Sequence, residues 1–244
     1  MKEYHKSKKY DSKWIEDNWM GPHPLWLLEE LCENLDLRPG MKVLDMGCGK
    51  GITSVFLAKE YGVTVFANDL WISATDNLKR FEEAGVADRV FPINAEAHAL
   101  PYANEFFDVA ISIDSYHYYG TDEMYFPEVY SKLVRHGGQF GIVCPGLVRE
   151  FESGYPQTLK EHWPPDFFTF HSKDWWKRHW EKVGTVDITA CYNMPNPKDV
   201  WYSWANRLLD EQQHSGDKDL LDADIDNDIA LVVMTAIKKE GRIF

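Results

Sequence analysis

One short stretch decides the fold, and over residues 43–51 it reads Val-Leu-Asp-Met-Gly-Cys-Gly-Lys-Gly. The apolar run 41–45 is typical of a buried strand, and residues 52–61 have the apolar spacing of a helix. Glycines lie between them, and a backbone without Cβ atoms can approach a ligand closely. The stretch therefore predicts a strand, a ligand-binding glycine turn and a helix.

The same alternation of strand and helix patterns continues along the chain. Seven strands are predicted, at residues 41–45, 63–67, 90–93, 107–113, 139–143, 186–192 and 229–237. Six helices are predicted, at residues 22–37, 52–61, 73–83, 124–134, 172–182 and 201–210. This order favours an α/β fold with a mostly parallel, doubly wound seven-stranded sheet and helices on both faces.

The length of 244 residues fits a single domain with insertions. We expect residues 1–24 to form an N-terminal lid and residues 25–145 a core that binds a cofactor. Residues 146–171, rich in aromatic residues and proline, and residues 195–228 are expected to be helical cap insertions. Within the second insertion, the acidic stretch 217–228 predicts an exposed linker.

Composition limits the kinds of molecule that the protein is expected to bind. The formal net charge of -13 disfavours nucleic acid, whose phosphates need a basic surface, and fits a neutral or cationic small-molecule substrate better. The four cysteines form no C-x-x-C pair, so neither a zinc site nor a disulfide framework is indicated, and no metal is expected. No apolar run approaches a membrane span, which predicts a cytoplasmic protein. The sequence leaves the oligomeric state open.

A second acidic residue indicates what the turn binds. Asp69 ends the next predicted strand, where a carboxylate can accept hydrogen bonds from ribose hydroxyls. A dinucleotide fingerprint would need glycine where the chain has Ile52. Asp45, just before the turn, would repel a diphosphate and attract an ammonium group. The pattern therefore favours a nucleoside-like ligand that carries an ammonium group.

These residues resemble motif I of the class I S-adenosylmethionine-dependent methyltransferases, and the similarity extends over roughly residues 25–145. The resemblance implies a Rossmann-like fold, S-adenosylmethionine as cofactor, S-adenosylhomocysteine as product, and in-line methyl transfer to a small molecule. Asn94 stands where relatives carry an aspartate. The cofactor-binding residues implied are Asp45, Gly47, Cys48, Gly49, Gly51, Asp69, Leu70, Trp71, Asn94, Ala95, Glu96 and Asp114.

The segment after the fourth predicted strand should face the transferred methyl group, because ligands in open α/β sheets bind beyond the carboxyl ends of the strands. His117 is a candidate general base, since an imidazole titrates near neutrality, or it shapes the pocket without reacting. Tyr116 and Asp114 are the other catalytic candidates. Tyr118 either orients the acceptor or packs as a half-buried aromatic residue.

Tryptophans in the expected lid and cap suggest an aromatic lid around the acceptor. Trp19 and Trp163 are the candidates, and an aromatic cage would suit a cationic acceptor. It is also open that these rings belong to the core.

Residues 112–125 also resemble cyclopropane-fatty-acid synthases of the same superfamily. The positions that help bind a catalytic bicarbonate in those enzymes are Tyr116 and Thr121 here, so cyclopropanation is not expected. The sequence leaves two further functions open. One is a nucleotide-dependent oxidoreductase on a related fold, and the second is a non-catalytic module that binds S-adenosylmethionine and regulates a partner.

Overall fold

The computed structural model describes residues 2–152, 154–210 and 216–240. The strands are β1 (Lys42–Met46), β2 (Thr64–Asp69), β3 (Val90–Asn94), β4 (Phe107–Ile113), β5 (Val134–Leu147), β6 (His171–Ser172), β7 (Val186–Asn193) and β8 (Ile229–Lys238). The helices are α1 (Ser12–Asn18), α2 (Pro24–Cys32), α3 (Ile52–Tyr61), α4 (Ala74–Glu83), α5 (Ser131–Leu133), α6 (Gln157–Lys160), α7 (Lys173–Glu181), α8 (Pro197–Asp210) and α9 (Gly216–Ala223). Residues 1, 153 and 211–215, which fall in the expected lid and insertions, lie outside the described residues.

All the strands belong to one sheet, in the order β3-β2-β1-β4-β5-β8-β7. Strands β1 to β5 pair in parallel, whereas β8 is antiparallel to both β5 and β7. The two-residue β6 adds to the end of β5. The α/β fold with seven main, mostly parallel strands is therefore confirmed, and β6 is a short eighth strand that the sequence did not predict.

The chain winds in opposite directions on either side of β1 and β4. From β1 it proceeds outward to β2 and β3, and from β4 outward to β5, so the crossover loops after β1 and β4 diverge. This divergence leaves a crevice at the carboxyl ends of these two strands, the usual ligand position in open α/β sheets.

Each face of the sheet carries its own buried cluster. One contains Leu27 of α2 and Phe56 of α3, and the other contains Trp176 and Trp180 of α7, all fully buried. Helix α7 begins where the Ser172 hydroxyl accepts a hydrogen bond from the Trp175 amide, as an N-cap serine does. Burial on both faces fixes the strand ends that form the crevice.

One prediction about the second insertion was wrong. The stretch 217–228, expected to be an exposed linker, contains most of helix α9, in which Leu220 and Leu221 are buried. The Asp224 carboxylate is buried and accepts hydrogen bonds from the amides of Asp228 and Ile229. The aspartates here serve as helix and loop acceptors, which acidic composition alone did not reveal.

Other elements differ from prediction in their bounds. The helix expected at 124–134 is a π-helical turn, Phe126–Tyr130, continued by the short α5. Pro127 lies in this turn and lacks the N–H that a regular α-helix would use. Within the described ranges, no helix is both long and apolar enough to cross a membrane.

Candidate functional site

A cavity of about 300 Å³ lies at the crevice. Its wall is built from the ends of β1, β2 and β4, from the loop after β3, and from the segment between α1 and α2. The lining residues fall at 18–22, 24, 46–50, 52–53, 68–71, 95–98, 113–115 and 118–119. Elements that are distant in sequence therefore converge on one site.

The glycine turn is tied to the end of β2. The amides of Gly47 and Cys48 donate to the Asn68 carbonyl at 2.8 and 3.0 Å. Gly47 has a φ of 72°, and a Cβ at this position would lie 2.0 Å from Ser115 Oγ. Glycine is therefore required at residue 47 both by the backbone angle and by the contact with the loop after β4.

Gly51 has a different role from Gly47. It does not line the cavity, and a Cβ there would lie 2.4 Å from Phe81 Cε1 of α4. Its missing side chain lets helix α3 approach helix α4. Gly49, in contrast, lines the cavity, and a Cβ there would lie 3.2 Å from Met20 Sδ of the segment between α1 and α2.

The Asp69 carboxylate is fixed by three backbone donors at the cavity wall. Its Oδ2 accepts from the Gly49 amide at 2.8 Å, and its Oδ1 accepts from the amides of Trp71 and Ile72 at 2.8 and 2.9 Å. A carboxylate has about four acceptor positions, so about one remains for a ligand. Asp69 thus joins the glycine turn to the loop after β2 and still faces the cavity.

Asp45 is fully buried and does not line the cavity. Its Oδ2 accepts from the hydroxyls of Thr53 and Ser54, both at 2.6 Å, whereas its Oδ1 has no partner among the described residues. Burial raises the pKa of this carboxyl to about 6, although the hydrogen bonds from the two hydroxyls lower it. Because Thr53 lines the cavity, Asp45 stands one side chain behind the wall.

The loop after β3 forms the opposite wall. Ala95 and Glu96 line the cavity, but Asn94 does not. Its Nδ2 instead donates to the carbonyls of Asp69, Leu70 and Ile72 at 2.9, 3.0 and 3.3 Å. Asn94 therefore holds the neighbouring loop in place. An aspartate could not do so, because a carboxylate has no hydrogen to donate.

Leu70 and Trp71 line the mouth of the cavity and are 56% and 69% exposed. Trp71 contacts Tyr118 edge-on, with ring centroids 5.8 Å apart, and Tyr118 also lines the mouth. An exposed apolar rim of this kind offers flat surfaces to a planar ligand.

Asp114 follows β4 and lines the cavity. Its φ of 53° is uncommon for a residue with a side chain, and its amide donates to the Val143 carbonyl at 2.7 Å. The carboxylate lies against Gly21, where a Cβ would be 2.0 Å from Asp114 Oδ2. Burial, reinforced by the charge of Asp217, raises the pKa of Asp114 well above its ordinary value.

The structure does not bring the other acceptor-side candidates together. His117 is buried outside the cavity lining against Phe170, and burial lowers its pKa to about 3. Tyr116 is fully buried in the cluster formed by α7. Trp163 stacks on Tyr155 in the first insertion, whereas Trp19 does line the cavity.

Sequence reasoning missed several lining residues. Asn68 and His98 line the cavity, as do Met20 and Gly21 of the expected lid. Asn68 directly precedes Asp69, so its place at a strand end was a usable signal. The lid was expected at residues 1–24, but no local pattern singled out Met20 and Gly21, because only the fold brings Gly21 to Asp114. Among the described residues, no group of three or more His, Cys, Asp or Glu side chains could hold a metal.

Comparison with known proteins supports the fold assignment. Residues 43–138 match the Methyltransferase domain family. A 117-residue stretch is 33% identical to the methyltransferase GfsG of Streptomyces halstedii, covering 48% of this chain and 42% of that protein. A longer match, 26% identical over 203 residues, covers 70% of this chain and 72% of the sarcosine/dimethylglycine N-methyltransferase of Halorhodospira halochloris.

Among solved structures, phosphoethanolamine N-methyltransferase 2 of Haemonchus contortus in complex with S-adenosyl-L-methionine superimposes with a TM-score of 0.75. The two are 21% identical, and the match covers 93% of this chain and 56% of that one. The chain spans less than half the length of the first curated relatives it matches. Residues 43–138 are therefore similar to the methyltransferase domain, and the chain as a whole has the fold of a methyltransferase of known structure.

Proposed function

We propose that this protein transfers the methyl group of S-adenosylmethionine to a small molecule. The observation that carries the proposal is the position of Asp69, which three backbone amides fix beside the glycine turn while it still lines the cavity. A preorganised carboxylate next to bare backbone suits a ribose joined to an amino-acid chain. The same site would place a diphosphate against Asp69 and near Asp45, which disfavours a dinucleotide.

Different lining residues would contact different parts of the cofactor. Gly47, Cys48 and Gly49 would receive the methionine portion, and Asp69 the ribose. Leu70, Trp71, Ala95 and Glu96 would surround the adenine at the rim. Asp45, Gly51 and Asn94 act behind the wall: they hold helix α3, helix α4 and the loop after β2 in position.

When bound, the cofactor supplies an electrophilic methyl group on a sulfonium. The protein's part is to align the acceptor and to exclude water, which together can lower the barrier by about 7 to 11 kcal/mol. Asp114 and Trp19 line the cavity, and we assign them to the acceptor. His117 and Tyr116 lie behind the cavity wall, so we assign them to shaping that wall. We place Tyr118 at the cavity mouth and Trp163 in the first cap insertion.

A calorimetric titration tests the cofactor assignment. We expect S-adenosylhomocysteine to bind with one site per chain and NAD not to bind. The reverse result would favour an oxidoreductase. Incubation with methyl-labelled S-adenosylmethionine and small-molecule extract, followed by mass identification of the product, then tests turnover. Tight binding without transfer to any acceptor would favour a regulatory module.

We also propose one catalytic domain in which residues 1–24, 146–171 and 195–228 cover the core, and a cytoplasmic setting without a nucleic-acid partner. The four cysteines are free, and Cys32, Cys48 and Cys144 are buried, which fits a reducing compartment. The net charge of -13 opposes phosphate backbones.

A further inference from the structure

We propose that the acceptor is an amine, bound in its cationic form by the Asp114 carboxylate beside Trp19. This inference rests on the proposed methyl transfer and names the class of molecule that receives the methyl group. Asp114 acts on the acceptor nitrogen, and the second cap insertion supplies a further charge that favours the cation.

The charged groups of the cavity wall are mostly occupied, and Asp114 is the exception. Asp69 accepts three backbone hydrogen bonds, and Glu96 accepts from the amide and the ring of His98. The Lys50 ammonium donates to the Asp17 carbonyl at 3.1 Å. No group in the described ranges donates to the Asp114 carboxylate or pairs with it. A poorly solvated carboxylate without a partner is costly, and a bound cation removes that cost.

A second carboxylate reinforces the first. Burial is the main cause of the raised pKa of Asp114, and the nearby charge of Asp217 in α9 raises this pKa further. The Oδ2 of Asp217 accepts from the indole N–H groups of Trp201 and Trp204 at 3.3 and 3.1 Å. Two donors hold this carboxylate in place, and its charge adds to the negative potential at Asp114.

An aromatic wall stands beside these carboxylates. Trp19 lines the cavity and contacts Trp204 edge-on, with ring centroids 5.8 Å apart. The same Trp204 donates to Asp217, so the lid ring, the cap ring and the second carboxylate form one connected unit. An aromatic face next to a carboxylate favours alkylammonium groups over neutral groups of the same shape.

The raised pKa also equips Asp114 for the proton transfer that an amine requires. A primary, secondary or tertiary ammonium has no lone pair, so its proton must first pass to the Asp114 carboxylate. The freed nitrogen lone pair then forms the new N–C bond while the S–C bond breaks and sulfur keeps its electron pair. The positive charge moves from sulfur to the methylated nitrogen, and the Asp114 proton returns to water after product release.

A pair of isosteric probes tests the proposal. We would titrate the wild-type protein, saturated with S-adenosylhomocysteine, with 2-(dimethylamino)ethanol, which is cationic at neutral pH, and with 3-methylbutan-1-ol, its neutral counterpart. We expect the amine to bind about 10- to 100-fold more tightly, the range for a hydrogen-bonded charged group. Equal binding of the two probes, or no binding of the amine, would overturn the proposal.

Three variants identify the groups responsible. Asp114→Asn should abolish the preference for the amine, and asparagine tolerates the positive φ, so the fold should persist. Asp217→Asn should reduce the preference less. Asp222→Asn removes an equal charge from the exposed face of the same helix and should leave the preference unchanged.

The affinity for S-adenosylhomocysteine separates this proposal from the proposed function. We expect Asp114→Asn to change that affinity less than about threefold, below the tenfold effect of one lost charged contact. A large loss of cofactor affinity with an intact amine preference would show that Asp114 binds the cofactor's own ammonium, and would overturn the proposal. Failure of the wild-type protein to bind S-adenosylhomocysteine would instead refute the proposed function.

Discussion

Replacing Asp69 is the most direct perturbation of the cofactor site. Three of the roughly four acceptor positions of its carboxylate are occupied by the amides of Gly49, Trp71 and Ile72. One position therefore remains for a ribose hydroxyl, although the sequence pattern suggested two hydrogen bonds. A hydrogen bond to a charged group contributes about 1.5 to 3 kcal/mol. We expect Asp69→Asn to weaken S-adenosylhomocysteine binding by about 10- to 150-fold.

Isothermal titration calorimetry measures this effect, and thermal unfolding followed by circular dichroism shows whether the variant is folded. Asp76→Asn, at the exposed first turn of α4, is the matched control because it removes the same charge outside the cavity lining. The control should keep wild-type affinity. If folded Asp69→Asn binds within threefold of wild type, Asp69 does not receive the ribose and the cofactor assignment loses its central contact.

Three further predictions concern the supports of the same site. Gly47→Ala should lower the free energy of unfolding, measured with a chemical denaturant, by roughly 2 to 4 kcal/mol. Adding Ser115→Gly removes the contact at 2.0 Å, so only the left-handed backbone strain of about 1 to 2 kcal/mol should remain. No recovery of stability in the double variant would contradict this contact. Because burial raises the pKa of Asp45 to about 6, the folded state holds more protons than the unfolded state above pH 3.8, so stability falls as pH rises toward 6. The stability of wild type relative to Asp45→Asn, from urea midpoints, should therefore drop by about 2.4 kcal/mol between pH 4 and 7, and a constant difference would exclude the shift. Asn94→Asp, which cannot donate to the three carbonyls of the 69–72 loop, should weaken S-adenosylhomocysteine binding by about tenfold in calorimetry, and unchanged binding would show that the loop holds without it.

The part of the cavity wall formed by the glycine turn and Asp69 was predictable because its signals are local. Strand β4 has the bounds that the sequence predicted, and so does helix α3. The glycine turn and Asp69 lie at the ends of neighbouring parallel strands, so the sheet alone brings them together. Local patterns nevertheless could not separate Gly49, which lines the cavity, from Gly51, whose closeness to α4 depends on Phe81.

The acceptor side depends on tertiary contacts that leave no periodic pattern in the sequence. His117 is three residues from Asp114 along the chain, yet the 3-10 turn Tyr116–Tyr118 directs it into the core while Asp114 lines the cavity. Position after a strand could not distinguish these two outcomes. Burial in the folded protein determines the protonation state of His117, because an imidazole whose pKa falls to about 3 is neutral throughout the physiological range.

The charges of the second insertion were likewise not predictable from local sequence. Its aspartates were expected to be solvated, but a helix with buried leucines places Asp217 under two indole donors. The negative charge of the chain is therefore not spread evenly, because Asp114 after β4 and Asp217 of α9 lie close enough to interact at a cavity that Trp19 also lines. If residues 25–145 bind the cofactor and the second insertion supplies the second charge, as we propose, exchanging residues 195–228 should change which acceptor is bound while the affinity for S-adenosylhomocysteine in calorimetry is retained.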